Sequence, residues 1–141
     1  MKQGHFNNNM LEEGAERLAA YCKKRTGDKL RSVTVYRPEG TTRVYSDDML
    51  RERYTEEQIS ALVQSAIELN TTLHHSNVSD APLGRPIAGV YSFEEAFVIQ
   101  LPWDETSGIV ATFDVDIGTS LAGFINECHE IVQGESPSKD E

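Results

Sequence analysis

Two groups of strand-forming segments, each joined by turns of a few residues, are the feature that most restricts the fold. The first group is a pair that flanks Pro38-Glu39-Gly40, where proline sets φ and glycine accepts a left-handed conformation. The second group has three segments, separated by Phe93-Glu94-Glu95 and by residues 102–107. Such short connections join antiparallel neighbours, because parallel neighbours need a long crossover. The predicted strands are Leu30–Arg37, Thr41–Ser46, Ile87–Ser92, Ala96–Leu101 and Gly108–Val115.

Three amphipathic segments around these strands are predicted helices. Apolar residues recur at helical spacing from Leu11 to Cys22 and from Leu121 to Val132. The middle helix follows Thr55-Glu56-Glu57-Gln58. This pattern predicts a capping box, in which the threonine hydroxyl accepts from the Gln58 amide and the Gln58 side chain reaches back.

The order α-β-β-α-β-β-β-α predicts an α/β (α+β) fold with a single five-stranded, mainly antiparallel sheet and helices on both faces. We expect the capped helix to cross one face and the first and last helices to pack on the other. The domain is predicted to span residues 10–133, and residues 1–9 and 134–141 are predicted to be disordered tails. Residues 47–54 are expected to form a polar connector, and residues 74–86 a loop.

The charge of the chain excludes some classes of partner. Its 13 Lys and Arg against 23 Asp and Glu give a net charge of −10, which opposes nonspecific binding to nucleic acid. No apolar run approaches the roughly 18 residues of a membrane span, and the N-terminus lacks the apolar stretch of a signal peptide. We therefore expect a cytoplasmic protein with no nucleic-acid and no membrane partner.

The two cysteines, Cys22 and Cys128, are each on the apolar side of a predicted helix. Neither has a second cysteine or a histidine at the spacing of a metal site. We expect two small buried thiols, which would form a disulfide only if the first and last helices touch.

Four residues are weak candidates for a metal site. His74 and His75 are adjacent in the predicted loop, where their side chains would point in opposite directions; the alternative is a solvated pair. Asp114 and Asp116 are predicted on one side of a strand end, about 7 Å apart, and would bind Mg²⁺ or Ca²⁺ if a third ligand arrived. The alternative is a strand-to-helix connection in which the carboxylates favour the coming helix N-terminus. No catalytic or cofactor-binding residue is predicted, and no cofactor, because the Gly-rich phosphate loops and the Gly-x-Ser-x-Gly elbow are missing.

Three aromatic residues are interface candidates. Trp103 is predicted where a strand leaves the sheet, and Tyr36 and Tyr45 are predicted on the hairpin. Each either covers the core or anchors a partner.

Five segments of the chain carry a resemblance to known proteins. They are Leu30–Val33, Leu50–Tyr54, Ala96–Pro102, Ser107–Ala111 and Leu121–Cys128. Together they resemble a family of small uncharacterised proteins from halophilic archaea, over roughly residues 11–132, which implies a salt-rich cytoplasm. The element order is also similar to that of roadblock domains in the profilin-like group, which implies homodimers and, by fold analogy alone, a small GTPase as a partner.

Three functions are consistent with these features. The first is a non-enzymatic protein-interaction or regulatory module that acts as a homodimer. The second is a small-ligand sensor, whose expected sign is a pocket of about 300 Å³ or more beneath the helix at residues 56–70; few buried polar residues are predicted there. The third is a metal-dependent enzyme, which would need His74, His75, Asp114 and Asp116 within about 6 Å of one another.

Overall fold

The computed structural model describes residues 2–75, 84 and 86–134. The structure confirms the predicted order of elements. Within the described residues it also contains a short helix, α2, and two 3₁₀ turns, at residues 27–29 and 115–118. The helices are α1 (Lys2–Thr26), α2 (Asp48–Arg53), α3 (Glu56–His75) and α4 (Thr119–Val132). The strands are β1 (Leu30–Arg37), β2 (Gly40–Ser46), β3 (Gly89–Ser92), β4 (Phe97–Pro102) and β5 (Gly108–Phe113).

The five strands form one antiparallel sheet in the order β2-β1-β5-β4-β3. The hairpin and the three-stranded unit are joined by the pairing of β1 with β5, the central strand. Every residue of β5 is buried, as expected for a strand covered on both faces. The predicted single five-stranded sheet is confirmed.

Helices cover both faces of the sheet, and each face has its own apolar cluster. On one face, Leu11, Ala15 and Ala19 of α1 pack with Val33 and Val35 of β1. The other face carries α3, where Val63 and Ala66 pack against Val98, Val110 and Tyr36. Alternate residues of β1 therefore point to different helices, which is the period-2 pattern of a strand.

Several element boundaries differ from the prediction. The first helix begins at Lys2, eight residues before Met10. The connector holds α2, because the Asp47 side chain accepts from the backbone N–H of Leu50 at 2.9 Å and caps the helix. The helix α3 continues to His75, so its last two residues lie in the segment predicted to be a loop. The rest of that loop, apart from residues 84 and 86, and the predicted tail after residue 134 lie outside the described residues.

The last helix does not pack as predicted. Four large apolar side chains of α4 are exposed, from 43% for Leu121 to 83% for Val132. Cys22 is buried, as predicted, but the prediction of a buried Cys128 is wrong, since this thiol is exposed on α4 and both cysteines are free. The helix begins beside the core, where Gly118 contacts the ring of Phe97, and four of its large apolar side chains then face solvent. The exposed residues are Leu121, Phe124, Ile131 and Val132.

Candidate functional site

A cavity of about 600 Å³ lies between the sheet and the N-terminal half of α3. Val98 of β4 and Thr112 of β5, which pair across the two strands, line it from the sheet. Residues of α2, of α3 and of the turn between β3 and β4 line its other sides. Its apolar lining includes Leu50, Ile59, Leu62, Phe93, Val98 and Phe113.

The position of α3 explains why this space is open. The middle of the helix packs against the sheet through Val63 and Ala66. One turn earlier, Ile59 and Leu62 line the cavity. The start of the helix is tied to the edge strand β2, because the guanidinium of Arg43 donates to both carboxylate oxygens of Glu56 at 3.2 and 3.3 Å. The helix therefore contacts the sheet at its start, through Glu56, and at its middle, through Val63 and Ala66. The cavity lies beneath the turns between these contacts.

The predicted capping box is confirmed, and it fixes the position of the Gln58 side chain, which lines the cavity. The Gln58 N–H donates to Thr55 Oγ1 at 3.1 Å, and the Thr55 N–H donates to Gln58 Oε1 at 3.0 Å. Gln58 also lines the cavity. Since the cap uses the amide oxygen of the side chain, the amide nitrogen of Gln58 is the donor that this residue offers a ligand.

An arginine lies between two aspartates, and we call the part of the cavity that Arg31 and Asp114 line its polar end. The Arg31 guanidinium donates to Asp47 Oδ2 through Nη1 and to Asp114 Oδ2 through Nη2, each at 2.9 Å. The side chains of Arg31, Asp47 and Asp114 are 16%, 19% and 32% exposed. The backbone N–H of Asp116 donates to Asp114 Oδ1. This hydrogen bond, together with the charges of Arg31 and Lys29, holds the pKa of Asp114 below its usual value despite partial burial.

A second arginine also lines the cavity. Arg53 donates to Glu95 at 3.2 Å, and its guanidinium is 5.8 Å from the centre of the Tyr54 ring. Both side chains of the ion pair are more than half exposed. Exposed pairs of this kind contribute roughly 0–1 kcal/mol, so the contact is weak enough to open for a ligand.

A buried polar network lies further along α3, where few polar residues were predicted. Gln100 Nε2 donates to the Tyr36 hydroxyl at 2.9 Å and to the backbone oxygen of Ala66 at 2.8 Å. The Tyr91 hydroxyl donates to Gln100 Oε1 at 2.9 Å, and Asn70 Nδ2 donates to the Tyr36 hydroxyl at 3.3 Å. Burial raises the pKa of both tyrosines. The network joins β1, β3 and β4 to α3.

The sequence signal for this network is the alternation of side chains between the two faces of the sheet along β4. Gln100 lies between Ile99 and Leu101 in β4, and these neighbours point to the α1 face. A residue between them must point to the α3 face. The apolar run around Gln100 therefore predicts its burial, although it does not predict its partners.

The histidine and aspartate candidates for a metal site lie in separate elements of the chain. His74 and His75 are in the last turn of α3, in place of the predicted extended loop. Asp114 follows β5 and pairs with Arg31, whereas Asp116 is in a 3₁₀ turn and accepts from Lys29 Nζ at 2.9 Å. Among the described residues, no group of three or more His, Cys, Asp and Glu side chains is placed to hold a metal ion.

The three aromatic candidates lie in different environments. Trp103 is 45% exposed beside the turn between β4 and β5. Tyr45 is half-buried, and Lys23 Nζ is 5.0 Å from its ring centre. Tyr36 is fully buried in the network above, which favours the alternative that it belongs to the core.

Comparisons with known proteins identify a family without assigning an activity. A family model described as a domain of unknown function, DUF7522, matches residues 16–133. No curated protein matches the chain. Within the described part of the chain, no helix combines the length and the apolar character needed to cross a membrane.

Proposed function

Since the chain belongs to the DUF7522 family of domains of unknown function, we propose a function from its own geometry: the protein binds a small, largely apolar molecule between the sheet and α3. The cavity is the observation that carries this proposal. Its volume of about 600 Å³ lies inside the roughly 300–1,000 Å³ of small-molecule sites. It also exceeds the volume of about 300 Å³ that is expected of a ligand sensor.

The lining of the cavity has the composition of a ligand site. Apolar side chains from α2, α3, β4 and the β3–β4 turn surround the space together with a few polar groups, among them the paired Arg31 and Asp114. Binding sites for small molecules combine such walls with a few polar groups that orient the ligand. An apolar ligand would remove both its own surface and these walls from water, which is favourable.

Binding of the neutral dye Nile red tests this proposal. We expect its fluorescence to rise with the wild-type protein and to fall when 1-decanol displaces it. Ala96 lines the cavity, so Ala96→Phe should fill part of it and weaken dye binding by roughly tenfold, about 1.4 kcal/mol. Ala61 is exposed on α3 and is not among the lining residues.

Ala61→Phe is the matched control, because it adds the same ring without filling the cavity. It should bind the dye like the wild type. Equal dye binding by both variants would contradict the proposal, since the dye would then lie elsewhere, for example on α4.

A second proposal is that the protein acts as a homodimeric interaction or regulatory module. The exposed apolar side chains of α4 support it, because Phe124 and Val132 are 63% and 83% exposed. A second copy would remove them from water. The small GTPase that the roadblock comparison implies stays a prediction.

The test of the second proposal is the mass of the protein in solution. Light scattering at micromolar concentration and high salt should give twice the chain mass of 15.7 kDa. Phe124→Glu should return the protein to a monomer, whereas a monomeric wild type would overturn the proposal.

We also propose that the protein works in a salt-rich cytoplasm, as the resemblance to haloarchaeal proteins implies. The net charge of −10 supports this, because salt screens repulsion between carboxylates. The urea concentration at the unfolding midpoint should rise when KCl is raised from about 0.1 to 2 M, over which the Debye length falls below about 3 Å. An unchanged midpoint would contradict the proposal.

A further inference from the structure

We infer that the polar end of the ligand is a hydrogen-bond donor, either an uncharged hydroxyl or a cationic ammonium group, and that this site discriminates against anions. The inference rests on the proposed function and names the ligand class of the same cavity. Charge complementarity around Arg31 and Asp114 supports it.

The cation at the polar end is already neutralised. Arg31 contacts two carboxylates at 2.9 Å, one on each side of its guanidinium, and its Nη1 also donates to the backbone oxygen of Asp28. One guanidinium between two carboxylates has a net charge of −1. Three of its five N–H donors are in use, so a carboxylate or phosphate ligand would compete with Asp47 and Asp114 for the guanidinium and would be repelled by their charges.

The cavity lining as a whole has a negative net charge. Two arginines, Arg31 and Arg53, line it against three acidic residues, Glu94, Glu95 and Asp114. Arg53 is itself paired with Glu95. Arg31 and Asp114 are the less exposed of these charges, at 16% and 32%, so they act through a lower effective dielectric than fully exposed charges do.

A ligand at the polar end would meet hydrogen-bond acceptors. Asp114 is the most exposed member of the Arg31 triad, at 32%, and its carboxylate offers acceptors only. The low pKa of Asp114 keeps it ionised at neutral pH. Thr112 Oγ1 lines the same region and lies 2.6 Å from Ser32 Oγ. A ligand hydroxyl or ammonium would donate to Asp114, as its oxygens accept more than one hydrogen bond each.

Three probes with the same ten-carbon chain test the inference: decylammonium, 1-decanol and decanoate. Their affinities are measured by displacement of Nile red, at concentrations below micelle formation. About 0.5 M KCl is present, so that the net charge of the protein acts over less than about 5 Å. Decylammonium should bind about tenfold more tightly than decanoate, with 1-decanol at least as tight as decanoate.

Asp114→Asn is the decisive variant, and Asp116→Asn is its matched control. Asp116 is 64% exposed and is not among the cavity-lining residues. Its replacement by asparagine removes the same charge as Asp114→Asn does. Asp114→Asn should lower the affinity ratio of decylammonium to decanoate about tenfold, to near one, and leave 1-decanol binding unchanged. Asp116→Asn should keep the wild-type ratio.

The outcomes separate this inference from the proposed function. Tighter binding of decanoate than of decylammonium, or the same ratio in wild type and Asp114→Asn, would overturn the ligand class and leave the cavity a binding site. Failure of all three probes to bind would overturn both.

Discussion

At the scale of single residues, the polar groups beneath α3 have two different roles. The Tyr36–Gln100 network is buried and satisfied by hydrogen bonds within the chain. The Arg31–Asp114 pair is partly exposed and lines a cavity. Buried networks of this kind stabilise one arrangement of a core, whereas exposed polar groups in an apolar cavity orient a ligand.

Removal of the Tyr36 hydroxyl should destabilise the fold. In Tyr36→Phe, Gln100 Nε2 loses one of its two acceptors in a buried site, and we expect a loss of about 1–3 kcal/mol in the free energy of unfolding. Urea denaturation measures it. Tyr21→Phe, at a site that is 60% exposed, should change stability by less than about 0.5 kcal/mol. Equal effects of the two variants would contradict a structural role for the network.

Asp114 should make the stability depend on pH in acid. Its pKa is lower in the folded protein than the usual value of 3.8. Its contribution is therefore complete above that value and is lost as the pH falls through the folded-state pKa. The difference in unfolding free energy between wild type and Asp114→Asn should be largest near pH 6 and should shrink towards about pH 2. A difference that stays constant over this range would contradict the assignment.

Sequence patterns predicted some of these residues and not others. The Thr55 capping box follows from four consecutive residues, so it could be predicted and is confirmed. The salt bridge from Arg31 to Asp114 joins β1 to the residue after β5, 83 positions apart. Only the pairing of β1 with β5 brings these two together, and no local spacing contains that information.

At the scale of secondary structure, turn and capping signals predicted where most elements occur. The hairpin and the three-stranded unit follow from short turns, and their antiparallel pairing is confirmed. The packing of α4 was predicted wrongly. An apolar stripe shows that a helix can cover something, but it does not show whether that surface belongs to the same chain.

The junction between the sheet and α4 should be sensitive to one added methyl group. A Cβ at Gly118 would collide with the ring of Phe97, which is buried in the α1-side core. Gly118→Ala should therefore destabilise the protein by about 1–3 kcal/mol, the usual cost of overpacking.

Gly123→Ala, five residues further along, is the control. A Cβ there has no neighbour within 4 Å, and alanine is favoured over glycine within a helix by about 1 kcal/mol. Thermal unfolding of both variants checks the pair. A stable Gly118→Ala protein would contradict the close contact between α4 and the core.

At the scale of the whole molecule, the sheet divides the chain into an α1 side and an α3 side with different properties. The α1 side has a large apolar cluster. The α3 side has a smaller cluster, a polar network and the cavity. The order of elements was enough to predict a sheet with helices on both faces. The cavity could not be predicted, because its volume depends on how far α3 stands from the sheet, and helical spacing does not determine that distance.

Methyl NMR with 1-decanol tests the central claim, that this cavity binds an apolar molecule, most directly. The methyl signals of Ile59, Leu62 and Val98, which line the cavity, should shift as the alcohol is added. Those of Val33 and Val35, buried beneath α1 on the opposite face, should not. Shifts confined to the exposed residues of α4, or no saturable shift at all, would contradict the claim.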